Sequence, residues 1–163
     1  MGITSNPFYF PTGPASVNFG KLGRIIGHEI SHSFDSNGIK YDSQGLEKEW
    51  LGPEDREKLD ENAKCLVDQY NRYEVLPGKS VNGTLTLDEN IADNVGLHVA
   101  LRAYKRLLHD GQLELPKKLL GLEKLSSEQL FFLSYASVRE TVFLLVMLIL
   151  IIFRLTRDLP LGL

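Results

Sequence analysis

The segment from Leu87 to about Leu108 constrains the fold of this chain most, because its apolar side chains recur at the spacing of one helix face. Thr86, directly before it, stands where a helix N-cap belongs. On a wheel of about 100° per residue, the apolar arc holds Leu97, Ala100, Leu101, Tyr104, Leu107 and Leu108. The opposite arc holds His98, Arg102, Lys105 and Arg106. The segment therefore predicts a long amphipathic helix that packs one face against a core.

Two acidic residues, Glu89 and Asp93, lie on the apolar arc of this segment, one helical turn apart. A buried carboxylate without a partner costs several kcal/mol, so buried carboxylates pair with a cation or bind a metal. The basic residues of the segment face away, so the cation has to come from elsewhere in the fold. For Glu89 a second interpretation stays open, since Thr86 and Glu89 have the spacing of a capping box. That interpretation leaves Asp93 unexplained.

The rest of the sequence predicts a mainly α fold. A helix is expected from about Gly20 to Phe34, another from Pro53 to about Asn71, and a further one from Ser126 or Ser127. The strand candidate is Ile39-Lys40-Tyr41, which lies between two turns. With 163 residues, of which 43% are hydrophobic and 24% charged, the chain has the size and composition of one ordinary globular domain.

The sequence His28-Glu29-Ile30-Ser31-His32 lies within the first predicted helix. Residues four apart on a helix differ by about 40° in direction, so both imidazoles point to one side. Zinc prefers tetrahedral sites built from nitrogen, sulfur or carboxylate ligands, and Glu29 could reach a metal-bound water without occupying the metal. The alternative is two surface histidines on an amphipathic helix. Three isoleucines favour a packed helix instead, namely Ile25, Ile26 and Ile30.

A zinc ion held by His28 and His32 would also supply the cation that Glu89 and Asp93 require. The two acidic residues and the two histidines are therefore expected to converge on one ion. His98 lies half a turn round from Glu89 and is a poor ligand candidate, and His109 is interpreted as a solvated residue at a helix end.

Two long motifs resemble those of the neprilysin and endothelin-converting-enzyme family of zinc metallopeptidases. Ile26–Asp35 is similar to the first zinc motif of that family, and Val81–Asn94 is similar to the second, in the same order and spacing. Pro7-Phe8-Tyr9 and Gln129–Leu133 are also similar, so the resemblance covers about residues 3–138. It implies a mainly α, zincin-like catalytic subdomain with at most a short β element, which is an incomplete domain. Residues 1–138 would be the zinc-binding catalytic region and residues 139–163 an apolar tail outside the family pattern.

The resemblance also implies a role for each motif residue. His28, His32 and Glu89 match the ligands of one zinc ion, and Glu29 matches the general base. Asp93 matches the acid that hydrogen-bonds a ligand histidine, here expected to be His28, which fixes the imidazole tautomer. The implied activity is that of a zinc-dependent metalloendopeptidase that hydrolyses peptides and small polypeptides.

Cys65 is the single cysteine of the chain, so it cannot form an internal disulfide. Composition alone favours a buried, unreactive residue. The resemblance favours a different interpretation, in which Cys65 pairs with a cysteine that lies further toward the N-terminus, outside this chain.

The resemblance implies peptide substrates and a catalytic part on the extracellular side of the plasma membrane or secreted. The family is usually membrane-anchored, and its anchor is not in this chain. The net charge of −3 gives no reason to expect nucleic acid or an anionic membrane surface as a partner.

The sequence departs from the family pattern at several places. Ser36 replaces a usual Asp, Asp88 a usual Gly and Val95 a usual Gly, and none of these changes removes a ligand. After Val138 the pattern ends, and no histidine follows His109. The oxyanion-stabilising histidine and the substrate-binding arginine of the family are therefore not matched, which leaves a catalytically impaired zinc-binding remnant as the alternative function.

The tail contains twelve consecutive apolar residues, Val142 to Phe153. As a helix this run would be about 18 Å long, well short of a hydrocarbon core of about 30 Å. The favoured interpretation is an artefact of a gene model or of splicing. A short membrane-associated segment and a buried core helix are the two alternatives.

Overall fold

The computed structural model describes residues 2–113 and 118–138. These residues are mainly helical and contain one two-stranded sheet, which confirms the predicted fold class. They belong to two compact units, one of residues 23–103 and one that combines residues 2–22 with residues 104–113 and 118–138. The apolar run Val142–Phe153 lies outside the described residues. None of the helices that the structure describes is both long and apolar enough to cross a membrane.

The unit of residues 23–103 holds both zinc motifs. Its elements are α2 (Arg24–Ser31), two 3₁₀ turns (His32–Phe34 and Gly38–Lys40), α3 (Pro53–Tyr70), β1 (Glu74–Leu76), β2 (Lys79–Ser80) and most of α4 (Leu87–His109). β1 and β2 form an antiparallel hairpin in which Glu74 pairs with Ser80 and Leu76 pairs with Lys79. Gly78, in the hairpin turn, has a φ of 72°, which favours glycine. These two strands were not predicted from the sequence.

The strand expected at Ile39–Tyr41 is wrong. Residues Gly38–Lys40 form a 3₁₀ turn instead, and Tyr41 makes only an isolated bridge with Glu47. The reason is local, because the Asp35 carboxylate accepts hydrogen bonds from the backbone N–H groups of Asn37 and Gly38 and turns the chain back. The apolar character of Ile39 reflects burial in this turn, where it is 5% exposed.

The first predicted helix is helical throughout but not uniform. Phe19–Gly23 is a π-helical turn, Arg24–Ser31 is α-helical and His32–Phe34 is a 3₁₀ turn. The three isoleucines do not bury it as expected, since Ile26 and Ile30 are about half exposed. The buried residues of α2 are small instead, namely Gly27 and Ser31.

Helices α2 and α4 touch backbone to backbone at two glycines. A Cβ atom built on Gly96 would lie 2.4 Å from the backbone nitrogen of His28, and one on Gly27 would lie 2.6 Å from the carbonyl oxygen of Gly96. Only glycine allows this approach, because no real Cβ atom comes so close to backbone. The contact places the first turns of α4 directly beside the histidines of α2.

The predicted helices α3 and α4 are confirmed. α3 begins at Pro53, which occupies the first turn as expected, and ends at Tyr70. α4 runs from Leu87 to His109. On the predicted apolar face of α4, Ala100 and Tyr104 are buried. The basic residues on its opposite face are exposed.

The other unit contains α1 (Ala15–Asn18), most of the π-helical turn, the end of α4 and a helix α5 described over residues 127–138. Its core includes Tyr104 and Phe131, whose rings stack with centroids 6.5 Å apart. α5 starts where the sequence predicted, with a capping box. The Ser126 hydroxyl accepts from the Gln129 N–H, and the Gln129 side chain accepts from the Ser126 N–H.

Candidate metal centre

Three side chains from two helices converge in the unit of residues 23–103. The Nε2 atoms of His28 and His32, one turn apart on α2, are 3.1 Å from each other. Glu89, in the first turn of α4, places one carboxylate oxygen 3.4 Å from His28 Nε2 and the other 3.8 Å from His32 Nε2. Within the described part of the chain, these are the residues whose donor atoms cluster closely enough to hold a metal ion.

The spacing of these atoms fits zinc. Tetrahedral bonds of about 2.0–2.1 Å to nitrogen and oxygen separate neighbouring ligand atoms by about 3.3 Å. The two Nε2 atoms are 3.1 Å apart, and the two Glu89 oxygens lie 3.4 Å from His28 Nε2 and 3.8 Å from His32 Nε2 respectively, so each distance is close to that value. Two imidazoles and one carboxylate, with a fourth position for water or substrate, are a donor set that catalytic zinc sites use.

Each histidine is oriented by a carboxylate at its other ring nitrogen. Nδ1 of His28 lies 3.1 Å from Asp93, and Nδ1 of His32 lies 2.7 Å from Asp35. A carboxylate can only accept a hydrogen bond, so we assign the proton of each neutral ring to Nδ1. Both Nε2 lone pairs then face each other. The Glu89 carboxylate lies beside them and has no hydrogen to donate to either. Such a cluster of lone pairs is stabilised by a cation.

Asp93 is itself held by a cation from α2. Arg24 donates to the same Asp93 oxygen that contacts His28, at a distance of 3.1 Å. Arg24 lies on α2, one helical turn before His28, so the sequence pattern of α4 alone did not predict it as the partner of Asp93. Asp93 therefore forms an ordinary ion pair with Arg24, so its burial does not require a metal ion.

Asp35 is a second residue that the sequence analysis did not single out. Burial alone raises the pKa of the Asp35 carboxyl, but hydrogen bonds from Gly38, His32 and Asn37 outweigh it, so the net pKa lies below its usual value. The hydrogen bond that His32 donates to Asp35 raises the pKa of His32, and the charges of Glu89 and Glu29 add to this effect against the opposing effect of burial. Asp35 thus stays ionised and holds the His32 ring. Its position three residues after His32 was the available signal.

Glu89 is not buried as its place on the apolar arc suggested. Its side chain is 70% exposed, whereas that of Asp93 is 16% exposed. The capping box does not account for Glu89 either. The Thr86 hydroxyl donates to the Asn82 carbonyl and accepts from the Asn90 side chain, while the Glu89 carboxylate faces the two histidines. The first turn of α4 therefore projects Glu89 outward from the protein surface and toward α2.

Glu29 lies on the exposed side of α2, next to both ligand candidates. It lines a cavity of about 800 Å³ together with His32 and three aromatic side chains, Phe34, Tyr41 and Trp50. The general base predicted from sequence is thus exposed to solvent and lines the same cavity as His32. His98 and His109 are exposed and lie outside the cluster, as expected.

Two further features singled out from the sequence, the cysteine and the departures from the family pattern, lie outside the cluster of donor atoms. Cys65 is exposed on α3, so the interpretation of a buried cysteine is wrong, while its disulfide outside this chain stays a prediction. Two of the departures from the family pattern, Ser36 and Asp88, contact each other.

A helix that carries H-E-x-x-H beside a second helix that carries a glutamate is the arrangement of a metallopeptidase centre. The family model "Peptidase family M13" matches residues 1–141. The chain therefore belongs to peptidase family M13, which confirms the resemblance seen in its two motifs.

Proteins of known name and structure agree with this assignment. Rat endothelin-converting enzyme 1 is 43% identical over 137 residues, which cover 84% of this chain and 18% of that enzyme. Neprilysin-3 of Drosophila melanogaster is 42% identical, over 84% of this chain and 17% of its own length. The zinc metalloprotease ZMP1 of Mycobacterium tuberculosis in complex with an inhibitor is 34% identical with a TM-score of 0.72, over 82% of this chain and 20% of that one. The chain thus spans less than a fifth of the length of these curated relatives.

Proposed function

We propose that this chain is the metal-binding part of a zinc-dependent metalloendopeptidase. His28, His32 and Glu89 hold one zinc ion, and Glu29 is the general base. The observation that carries the proposal is the meeting of three lone-pair donors at 3.1–3.8 Å, with both imidazoles fixed by carboxylates at Nδ1. Membership of a peptidase family and similarity to a zinc metalloprotease of known structure support it.

The side chains divide the chemistry between them. Zinc, when bound, lowers the pKa of a water molecule and polarises the carbonyl of the bond to be cut. Asp93 and Asp35 orient His28 and His32 so that both Nε2 atoms point inward. Glu29 takes a proton from the attacking water and then passes it to the leaving amine. The exposure of Glu29 on the wall of the cavity leaves room for a peptide beside it.

The family also supports the coarser features of the proposal. Peptides and small polypeptides are the proposed substrates. The proposed location is the extracellular side of the plasma membrane or the extracellular space, as the resemblance to neprilysins and endothelin-converting enzymes implies.

Replacing Glu29 with Gln tests the mechanism. Glu29→Gln keeps the shape of the side chain but removes the base, so we expect one zinc per chain as in the unchanged protein and a loss of peptide hydrolysis of at least about 10²-fold. Glu57→Gln, on the exposed surface of α3, is the matched control and should change neither quantity. Hydrolysis by Glu29→Gln at the rate of the unchanged chain would refute the role of Glu29.

The second candidate function is zinc binding without turnover. It is favoured by the sequence after Val138. This segment contains no histidine, and none of its arginines stands in a motif that matches the family. Loss of one oxyanion donor typically lowers the rate by about 10²- to 10³-fold. Zinc content and peptide hydrolysis measured on the same purified chain separate the candidates, since bound zinc with no hydrolysis supports this second one.

A further inference from the structure

The side chain of Asp88 connects the two segments that carry the ligand candidates. One Asp88 oxygen accepts hydrogen bonds from the backbone N–H and the hydroxyl of Ser36, and the other accepts from the side-chain amide of Asn37, at 2.8 Å. Ser36 and Asn37 directly follow Asp35, which orients His32. Asp88 directly precedes Glu89 in α4. The link therefore joins the loop behind His32 to the turn that carries Glu89.

The position of Glu89 depends on this turn because little else holds its side chain. The carboxylate is 70% exposed, and within the described residues it pairs with His28 and His32 alone. Where the first turn of α4 lies relative to the loop after α2 thus decides how far the Glu89 oxygens lie from His32 Nε2. The glycine contact fixes the helices further along, whereas Asp88 fixes the end that carries Glu89.

We propose that Asp88 is a positioning residue that, through Ser36 and Asn37, sets the separation of Glu89 from His32 and thereby the affinity of the site for zinc. This inference rests on the proposed function. The competing explanation is that Asp88 serves only as an acidic residue in the first turn of α4, where the helix dipole favours it. The helix dipole requires only a negative charge at this position. It does not account for the three hydrogen bonds that the Asp88 carboxylate accepts from the loop of Ser36 and Asn37.

The first test measures the link in the absence of metal. Because the Ser36 N–H donates to Asp88, replacing Asp88 with Ala should raise the hydrogen-exchange rate of the Ser36 amide by roughly tenfold or more. Asp55→Ala removes an acid from the first turn of α3 and is the matched control, since it changes the same charge at the same kind of position. It should leave the Ser36 amide protected. Equal exchange at Ser36 in Asp88→Ala and the unchanged chain would overturn the proposal.

The second test measures zinc affinity by competition with a chelating dye. Ser36→Asp should place a second carboxylate against Asp88, and the repulsion between them should weaken zinc binding by about tenfold. This is the lower end of the roughly 10- to 100-fold loss that is typical when a residue supporting a metal ligand is changed. Asp88→Gly should weaken it as well, by removing the acceptor. The double variant Ser36→Asp/Asp88→Gly has the net charge of the unchanged chain and lacks the repulsion, so it should bind zinc more tightly than Ser36→Asp alone.

The double variant separates the two explanations. If Asp88 acts only as a charge at the end of α4, the loss of zinc affinity caused by Asp88→Gly adds to the loss caused by Ser36→Asp. A double variant that binds zinc more weakly than either single variant would therefore overturn the proposal. Circular dichroism of each variant verifies that it is folded, and Asp88→Asn, which keeps one acceptor oxygen, should give an intermediate affinity. If the unchanged chain takes up no zinc, the proposed function fails, while the exchange of the Ser36 amide still tests the link.

Discussion

At the scale of single residues, two carboxylates behind the histidines orient both imidazole rings. Asp35 is 5% exposed and accepts hydrogen bonds from His32 Nδ1 and from two backbone N–H groups. Asp93 bridges His28 and Arg24. These contacts hold both imidazoles in one tautomer, which presents the Nε2 lone pairs to a cation without rearrangement.

We expect Asp35→Ala to weaken zinc binding by about 10- to 100-fold, because His32 loses the partner that fixes its ring and its tautomer. Zinc affinity measured by competition with a chelating dye checks this. Asp110→Ala is the matched control, since Asp110 contacts an exposed histidine, His109, at 3.1 Å outside the cluster, and it should keep full affinity. An Asp35→Ala variant with the affinity of this control would show that the hydrogen bond to His32 is dispensable.

Helical periodicity placed His28 and His32 on one side of their helix and Glu89 and Asp93 on one face of theirs, because it specifies the direction of each side chain. The need of two buried acids for a cation, together with the family resemblance, then predicted that the two pairs converge. Periodicity does not specify whether other protein atoms lie in that direction. Ile26 and Ile30 were expected to be buried and are about half exposed, and Glu89 was expected on a buried face and is exposed. The pairing of Asp93 with Arg24 depends on how α2 and α4 pack, which the pattern of either helix alone does not contain.

At the scale of secondary-structure elements, the site depends on the close approach of α2 and α4 at Gly27 and Gly96. The long, strongly periodic helices α3 and α4 could be predicted from sequence, since their apolar spacing extends over several turns. The π-helical turn Phe19–Gly23 could not, because no periodic pattern marks it. The 3₁₀ turn Gly38–Lys40 has a local cause, the Asp35 carboxylate that accepts from Asn37 and Gly38, but the run Ile39–Tyr41 favoured a strand instead. The role of Gly27 and Gly96 could not be predicted either, because it depends on the backbone of the opposite helix.

Gly96→Ala reverses the usual sign of a glycine replacement in a helix. Alanine normally stabilises a helix interior by about 0.5–1 kcal/mol, but here its Cβ would lie 2.4 Å from the backbone nitrogen of His28. We expect the free energy of unfolding to fall by about 1–3 kcal/mol, as in overpacked cores, and zinc affinity to fall because α4 moves away from α2. Chemical denaturation and zinc titration check this prediction.

Val95→Ala, one residue earlier on α4, is the control for Gly96→Ala, since Val95 is 43% exposed and its truncation leaves the helix contact in place. It should change stability by less than Gly96→Ala and leave zinc affinity unchanged. Stabilisation by Gly96→Ala would mean that the two backbones are not in contact as described.

At the scale of the whole molecule, the ligand candidates come from parts of the chain that are far apart in sequence. His28 and Glu89 are separated by the loop after α2, the helix α3 and the β-hairpin, so the three donors meet only when this unit is folded. A ligand that binds the folded state alone stabilises it in proportion to the logarithm of its concentration. Zinc affinity and folding of the unit should therefore be coupled.

We expect zinc to raise the midpoint of thermal unfolding of this chain, by an amount that corresponds to about 2.7 kcal/mol at a free zinc concentration of 100 times the dissociation constant. Addition of a chelator should return the midpoint to that of the metal-free protein. His28→Ala/His32→Ala removes two of the three donors, so its midpoint should not respond to zinc, whereas His98→Ala, which alters an exposed histidine outside the cluster, should respond as the unchanged chain does. Equal shifts in the two histidine variants would place the bound zinc elsewhere and contradict the assignment of His28 and His32.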